Sequence, residues 1–203
     1  QINIGTKPKL VSGKKSYAGA AKSEKEILFI GDSHLKDIKR KTLNNSIRKE
    51  KGFVKSFGGA TVSQMKYYIM PSIIEKTPDI VVLHVGGNNI NVKNIKNIDI
   101  HRLAKDIIDI GKLCKERNIQ EIIISGILVK RNYEVSSKIS ELNDVLNVLC
   151  MENGFRFLSN SNIGTNLLSH DGIHLSTLGT NVFAGNIVDY INNFILIRSV
   201  NED

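Results

Sequence analysis

The sequence is poor in the residues that mark several special classes of protein. Its 203 residues include two cysteines, three prolines and no tryptophan. Two cysteines are too few for a disulfide scaffold, and no run of about 18 apolar residues is present to form a transmembrane helix. The hydrophobic fraction of 41% and the charged fraction of 24% match ordinary globular domains, which excludes wholesale disorder and a collagen-like repeat. We therefore expect one globular domain with at most a short appendage.

Acidic residues are fewer than basic ones: 20 Asp and Glu against 28 Lys and Arg leave a formal charge of +8. Residues 1–25 carry +5 of this charge, from six lysines and one glutamate. They also have scattered Gly and Ser and no sustained apolar periodicity. We predict a flexible basic tail or linker over residues 1–25 and a folded domain over residues 26–203. A basic tail favours an acidic partner, either RNA or an anionic membrane surface.

The two cysteines and the lack of an apolar leader indicate a reducing compartment. No continuous apolar segment follows the basic residues near the start, so the pattern of a secretory signal is absent. Cys114 and Cys150 fall on the apolar faces of two predicted helices. Buried free thiols fit this placement better than a disulfide. We expect a cytoplasmic protein, and the pattern indicates no particular oligomeric state.

Short apolar runs alternate with helical periodicities from Glu26 onward. Strands are predicted at residues 26–30, from 53 onward, and at 79–85, 121–125 and 155–158. Helices are predicted across residues 103–114, 135–150 and 178–195, and Ser176 is the expected cap of the last helix. Continuously apolar strands separated by helices are typical of a parallel sheet that is covered on both faces. The sequence therefore predicts a three-layer α/β domain with a five-stranded, mainly parallel sheet.

Polar and glycine-rich segments follow the predicted strands, where ligands bind in α/β domains. These segments are Gly31-Asp32-Ser33-His34, Ser56-Phe57-Gly58-Gly59, Gly86-Gly87-Asn88-Asn89 and, after the last strand, His170-Asp171-Gly172-Ile173-His174. Together they contain a nucleophile, a base, an acid that can orient the base, and donors for an oxyanion. Acyl transfer by a serine hydrolase needs this set of groups.

Each of five residues has a predicted role in such chemistry. Ser33, at a strand-to-helix turn, is the candidate nucleophile, because backbone N–H groups there favour a developing negative charge. The N–H of Gly58 and the side-chain amide of Asn88 are candidate oxyanion donors, beside the N–H of Ser33 itself. Asp171 lies three residues before His174, a spacing that lets its carboxylate accept from Nδ1 while Nε2 faces Ser33.

In this order the four segments resemble the blocks of the SGNH or GDSL-like hydrolases. Gly31-Asp32-Ser33 is similar to the first block, Gly58 to the second, Gly86-x-Asn88 to the third and Asp171-x-x-His174 to the fifth, across most of residues 26–197. The resemblance implies a flavodoxin-like α/β/α fold. It also implies hydrolysis of small-molecule esters, thioesters or acetyl groups with no metal or organic cofactor. The stretches GDSHLKDIKR, SFGGAT and DGIHLSTLGT are more narrowly similar to esterase domains in the first open reading frame of LINE-type retrotransposons.

The chain also departs from the pattern of that family. Asn89 stands where the third block has Asp, and His34 stands where the name-giving motif has Leu. The spacing leaves open whether Gly58 or Gly59 is the donor, and the block alignment favours Gly58. A second hypothesis therefore stays open: a weakly active or inactive binding module that its basic tail tethers to RNA or an anionic membrane.

Simpler structural roles exist for the same residues. Each block alone is typical of an ordinary turn or helix cap. His34 and His170 are expected to line the site or to be exposed, and His84, within a strand, to be a hydrogen-bonded core residue. The sequence has no Gly-x-Ser-x-Gly elbow, Walker A motif, Gly-x-Gly-x-x-Gly, His-Glu-x-x-His or Cys-x-x-Cys. This disfavours an α/β-hydrolase fold, nucleotide hydrolysis, dinucleotide chemistry and zinc proteolysis.

Overall fold

The computed structural model describes residues 24–38, 40–47 and 50–201. In this part of the chain, five strands alternate with five α-helices. The strands are β1 (Glu26–Gly31), β2 (Lys51–Ser56), β3 (Ile80–His84), β4 (Glu121–Ser125) and β5 (Arg156–Leu158), and the helices are α1 (Arg40–Ser46), α2 (Val62–Lys76), α3 (Ile100–Lys115), α4 (Tyr133–Glu152) and α5 (Thr177–Asn201). Residues 1–23, most of the predicted basic tail, lie outside the described residues.

All neighbouring strands of the sheet are parallel, in the order β2-β1-β3-β4-β5. This is the flavodoxin-like order, in which the direction of strand addition reverses between β1 and β3. Helices α2, α3 and α4 supply the core on one face of the sheet, and α1 and α5 supply it on the other. The predicted three-layer architecture and five-stranded sheet are confirmed.

The sequence of strand β1 is apolar without interruption because both faces of the strand are buried. Successive side chains of a strand point to opposite faces. Leu28 and Ile30 join the core under α2, α3 and α4, whereas Ile27 and Phe29 join the core under α5. All four side chains are fully buried, and each contributes about 1.5–3 kcal/mol to stability by leaving water.

The closing helix α5 begins as the sequence predicts. The Ser176 hydroxyl accepts a hydrogen bond from the Gly179 N–H at 3.1 Å, which caps the first turn. Leu178, the first residue of the predicted helix, is exposed, whereas Phe183 in the next turns is fully buried. None of the described helices is both long and apolar enough to cross a membrane.

Both cysteines are free and buried, as the sequence predicts. Cys114 on α3 and Cys150 on α4 belong to the same apolar core cluster. Burial raises the pKa of each thiol to about 12. The thiolate is the reactive form of cysteine, so these residues act as small apolar side chains at neutral pH.

Candidate active site

The segments that carry Ser33 and Asn88 lie at the carboxyl edge of the sheet, at the point where the strand order reverses. Ser33 follows β1 and Asn88 follows β3, and these two strands are direct neighbours. Gly31 ends β1 opposite His84 of β3, and a Cβ atom on Gly31 would lie 2.2 Å from the His84 carbonyl oxygen. Only glycine allows the two strands to stay this close where the chain turns toward Ser33.

The turn that carries Ser33 is held by its neighbours on both sides. Ser33 opens a short 3-10 helix, Ser33–Leu35, and the Asp32 carboxylate caps it by accepting from the His34 N–H at 3.1 Å. The Ser56 hydroxyl donates to the Asp32 carbonyl at 2.7 Å. Among the described residues, no hydrogen bond joins the Ser33 hydroxyl to His174. The structure therefore positions the candidate nucleophile but does not contain an assembled triad.

Asp171 and His174 are brought together directly. His174 Nδ1 lies 2.6 Å from one Asp171 carboxylate oxygen, Oδ2. The other oxygen, Oδ1, accepts from the Ser169 hydroxyl at 2.8 Å, the Ile173 N–H at 2.8 Å and the His174 N–H at 2.9 Å. The hydrogen bond to His174, followed by those to the two backbone amides, lowers the pKa of Asp171 well below its usual range. The carboxylate is therefore ionised at neutral pH and faces Nδ1.

Arg131 holds this loop from outside, and no sequence pattern indicated this role. Its guanidinium donates to the carbonyl oxygens of His170 at 2.9 Å and Ser169 at 3.0 Å, and its backbone N–H donates to the Gly172 carbonyl at 2.8 Å. Gly172 has a φ of +69°, and a Cβ there would lie 2.7 Å from Arg131 Cβ. Close packing against Arg131 and a left-handed backbone both require glycine at this position.

The glycine pair after β2 forms a tight turn that faces open space. The Ala60 N–H closes the turn by donating to the Phe57 carbonyl at 3.1 Å. Gly59 has a φ of +73°, which suits the third position of a type II turn. A Cβ on Gly58 or Gly59 would meet no atom within 4 Å. Substrate could therefore approach either N–H, and the geometry leaves both glycines as candidate donors.

Asn88 links this turn to the third block. It lies in a short 3-10 helix, Gly87–Asn89, and its side-chain amide donates to the Ala60 carbonyl at 3.1 Å. A primary amide has two N–H hydrogens, so one of them remains for a substrate oxygen. The side chain of Asn89, which replaces the Asp of the family pattern, accepts from the Val62 N–H at 3.0 Å and so caps α2.

Lys130 fixes the backbone of the third block, and no sequence pattern pointed to it. Its ammonium donates to the carbonyl oxygens of Gly87 at 2.6 Å and Ile90 at 2.9 Å. Partial burial lowers the pKa of Lys130 from its ordinary value of 10.5. The Gly87 carbonyl also accepts from the Ile90 N–H, at 3.4 Å. Lys130 therefore adds the shorter of the two bonds to Gly87 and a bond to Ile90, and so stabilises the turn that presents Asn88.

Comparison with known proteins shows which solved structures share the fold of this chain. No family model matches the sequence, and no curated protein matches it. Among solved structures, a GDSL-like lipase from Bacteroides thetaiotaomicron is similar with a TM-score of 0.66 at 16% identity, over 87% of this chain and 92% of that one. The chain has the fold of the GDSL-like hydrolases.

Two further structures with this GDSL-like fold are similar over most of both chains. A lipase/acylhydrolase from Enterococcus faecalis has a TM-score of 0.67 at 16% identity, over 83% of this chain and 96% of that one. A catalytic mutant of an acetylxylan esterase from Geobacillus stearothermophilus has a TM-score of 0.68 at 18% identity, over 83% and 94%. At these identities the likeness shows a shared fold and no more.

His34 is the clearest local departure from the GDSL-like pattern, and it is buried rather than exposed. Its Nδ1 lies 3.0 Å from Asp32 Oδ1, and its Nε2 lies 3.1 Å from the Ile173 carbonyl oxygen. His84 is the hydrogen-bonded core residue that the sequence predicts, with Nδ1 3.2 Å from the Ser125 hydroxyl. Asp32 Oδ2 and His84 Nε2 are buried and have no hydrogen-bond partner within the described part of the chain.

The ionisation of these three groups follows from their surroundings. Burial opposes the charge on Asp32, but the His34 hydrogen bond and nearby positive charge outweigh it, so the pKa of Asp32 is lowered. Burial also opposes the charge on His34, but the Asp32 hydrogen bond and charge outweigh it, so the pKa of His34 is raised. Burial lowers the pKa of His84 to about 4. The opposite shifts of Asp32 and His34 favour the charged form of each, and the lowered pKa of His84 favours its neutral form.

The same three side chains are near enough to one another to be tested as a cation site. One donor atom from each of Asp32, His34 and His84 lies within 4.8 Å of the other two. A histidine ligates a metal through an unprotonated nitrogen. Both nitrogens of His34 already face oxygen atoms of the protein, Asp32 Oδ1 and the Ile173 carbonyl oxygen. The donor set therefore fits a hydrogen-bonded network better than a metal centre.

Proposed function

We propose that this protein is a serine esterase or deacetylase of the SGNH type, which hydrolyses carboxylic esters through an acyl-enzyme. Ser33 Oγ attacks the acyl carbonyl while His174 Nε2 takes its proton, and Asp171 orients His174 and stabilises the imidazolium. His174 then gives the proton to the departing alcohol. A water molecule, deprotonated in turn by His174, releases the acid and restores Ser33.

The observation that supports this proposal most strongly is the bond between Asp171 and His174. A carboxylate that faces Nδ1 at 2.6 Å leaves Nε2 as the basic nitrogen. The candidate oxyanion donors lie at the ends of neighbouring strands at the same edge: the N–H groups of Ser33 and Gly58 and the side-chain amide of Asn88. Donors placed where negative charge develops are the largest single contribution in acyl transfer.

The substrate class that we propose is a small acyl or acetyl ester, with lipid esters included. Structures that share the fold include a lipase, a lipase/acylhydrolase and an acetylxylan esterase. All of these names describe ester hydrolysis, although the alcohols differ. The open turn at Gly58 and Gly59 is consistent with a shallow site for short acyl groups.

The test is hydrolysis of p-nitrophenyl esters of increasing acyl length by the full chain and by Ser33→Ala. We expect the full chain to hydrolyse the acetyl ester and Ser33→Ala to lose at least about 10³-fold in kcat. Ser137→Ala, on an exposed face of α4, is the matched control and is expected to keep the parent rate. If Ser33→Ala hydrolyses as fast as the parent, the proposed mechanism is wrong.

A second proposal concerns the basic residues at the start of the chain. Residues 1–25 carry +5, so we propose that they hold the domain on RNA or an anionic membrane in the cytoplasm, in keeping with the narrower resemblance to retrotransposon proteins. Binding to RNA, and separately to phosphatidylserine vesicles, is measured at two salt concentrations for the full chain and for residues 26–203. Binding that depends on residues 1–25 and weakens steeply with salt supports the proposal. Binding that is absent or insensitive to salt refutes it.

A further inference from the structure

The buried pair of Asp32 and His34 has no part in the proposed chemistry, although it lies beside the candidate nucleophile. His34 follows Ser33 directly and is 9% exposed, and its ring centroid lies 5.9 Å from that of His174. The two ring nitrogens of His34 contact different elements of the site. Nδ1 faces Asp32, at the turn of the nucleophile, and Nε2 faces Ile173, in the loop that carries the base.

The partners of His34 determine where its hydrogens are. A backbone carbonyl oxygen only accepts hydrogen bonds, so Nε2, at 3.1 Å from the Ile173 oxygen, carries a hydrogen. An ionised carboxylate also only accepts, so Nδ1, at 3.0 Å from Asp32 Oδ1, carries the second hydrogen. His34 is therefore a doubly protonated ring that joins two segments about 140 residues apart in the chain.

The peptide unit between Ile173 and His174 is bound at both of its polar ends. Its carbonyl accepts from His34 Nε2, and its N–H donates to Asp171 Oδ1 at 2.9 Å. A peptide unit is planar and rigid, so these two bonds fix its orientation. The orientation of this unit sets the direction in which the His174 side chain leaves the backbone.

We propose that His34 is a positioning residue, which uses the Ile173 carbonyl to fix the His174 loop relative to the Ser33 turn. The inference rests on the proposed function and deepens it. Leucine, which the name-giving motif has at this position, makes neither bond. A displacement of about 1 Å between reacting groups can cost about 10²-fold in rate. The loss of the contact to Ile173 should therefore lower kcat and leave KM nearly unchanged.

Two substitutions separate the contacts of His34. In His34→Gln, the side-chain amide nitrogen reaches the place of Nε2, so the bond to Ile173 is kept and the bond to Asp32 is lost. In His34→Asn, the amide reaches the place of Nδ1, so the bond to Asp32 is kept and the bond to Ile173 is lost. Each variant loses one buried hydrogen bond, so we expect similar losses in melting temperature.

Catalysis should distinguish the two variants, although their stability does not. We expect His34→Gln to keep kcat for p-nitrophenyl acetate within about fivefold of the parent, and His34→Asn to lose about 10- to 100-fold, with KM within about threefold in both. Equal losses of kcat in the two variants, or losses that follow the melting temperature, would overturn the inference. If His34→Asn does not fold, His34→Leu carries the same expectation.

A spectroscopic readout tests the inference without catalysis. The histidine Cε1–H resonances in the NMR spectrum report the surroundings of His174. We expect His34→Asn to shift the His174 resonance and His34→Gln to leave it in place. If both variants leave that resonance unchanged, the inference is wrong even for an inactive chain. If the parent hydrolyses no ester but the resonance shifts as expected, the proposed function fails and the positioning role stands.

Discussion

Replacing Asp171 by asparagine separates the charge of this side chain from its shape. The amide oxygen of asparagine can still accept the three bonds that Oδ1 receives from Ser169, Ile173 and His174, so the loop keeps its form. The amide nitrogen, however, replaces Oδ2 and donates to His174 Nδ1. The hydrogen of the imidazole must then move to Nε2, the atom that has to take the Ser33 proton.

The expected loss follows from the bond that is removed. A hydrogen bond to a charged group contributes about 1.5–3 kcal/mol, which is roughly 10- to 150-fold in rate. Asp171 and His174 are about half exposed, so solvent weakens their electrostatic interaction and its loss should fall in the lower part of that range. The wrong tautomer of His174 lowers the rate further, so we expect a total loss of roughly 10²- to 10³-fold in kcat.

The assay is steady-state hydrolysis of p-nitrophenyl acetate together with thermal unfolding. Asp171→Asn should unfold within a few degrees of the parent while kcat falls. Ser169→Ala is the matched control, because it removes one bond to Oδ1 and leaves the bond between Oδ2 and Nδ1 intact. If Asp171→Asn retains kcat within threefold, the Asp171 carboxylate does not orient the base, and our account of this loop is refuted.

Three further predictions concern the turns and the buried pair. Gly58→Ala should keep the melting temperature, since its methyl group meets no atom within 4 Å, but should lower kcat/KM about tenfold by crowding the substrate oxygen. Gly59→Ala should cost about 1–2 kcal/mol of stability, because its φ is +73°. Equal stability of the two variants would refute this difference. Thermal unfolding should show that the Asp32–His34 pair stabilises the protein most between pH 3.8 and 6.5, the ordinary pKa values of the two groups. The stabilisation from His34, whose pKa is raised, declines as pH rises through that raised pKa, and the stabilisation from Asp32, whose pKa is lowered, declines as pH falls through that lowered pKa. His34→Leu should lose the decline at high pH. Lys130→Met should cost about 1–3 kcal/mol and lower kcat, because the Ile90 carbonyl loses its bond from Lys130 and the Gly87 carbonyl keeps the longer bond from the Ile90 N–H, at 3.4 Å. Lys130→Arg should restore much of both. A Met variant as stable as the parent would contradict the role of Lys130.

The fold could be predicted from the sequence because its signal is local and repeated. The central strands β1, β3 and β4 are apolar runs, and α3 and α4 have a 3.6-residue apolar period. Their alternation leaves a parallel sheet as the simplest arrangement. The strand order could not be derived from periodicity alone, and it was expected only because the resemblance to the GDSL-like hydrolases implies a flavodoxin-like fold. Leu178 shows the limit of the helical pattern, since it is apolar but exposed, whereas Phe183 is fully buried.

The site was predictable where its residues are close in sequence. Asp171 and His174 are three residues apart, so a hydrogen bond between them needs only a local turn. Arg131, Lys130 and the contact of His34 with Ile173 were not predicted, because each joins segments about 40 residues or more apart. An Arg or Lys in a loop has no sequence pattern that names the carbonyl it will bind. The order of the strands determines those partners.

The most direct test of the central claim is covalent labelling of Ser33. A fluorophosphonate reacts with a serine that an adjacent base activates, and peptide mass spectrometry locates the modified residue. We predict a single adduct on the peptide that contains Ser33, a rate that falls in Asp171→Asn and His174→Ala, and no adduct in Ser33→Ala. A parent chain that stays unlabelled while it hydrolyses esters, or an adduct on another serine, would contradict the account.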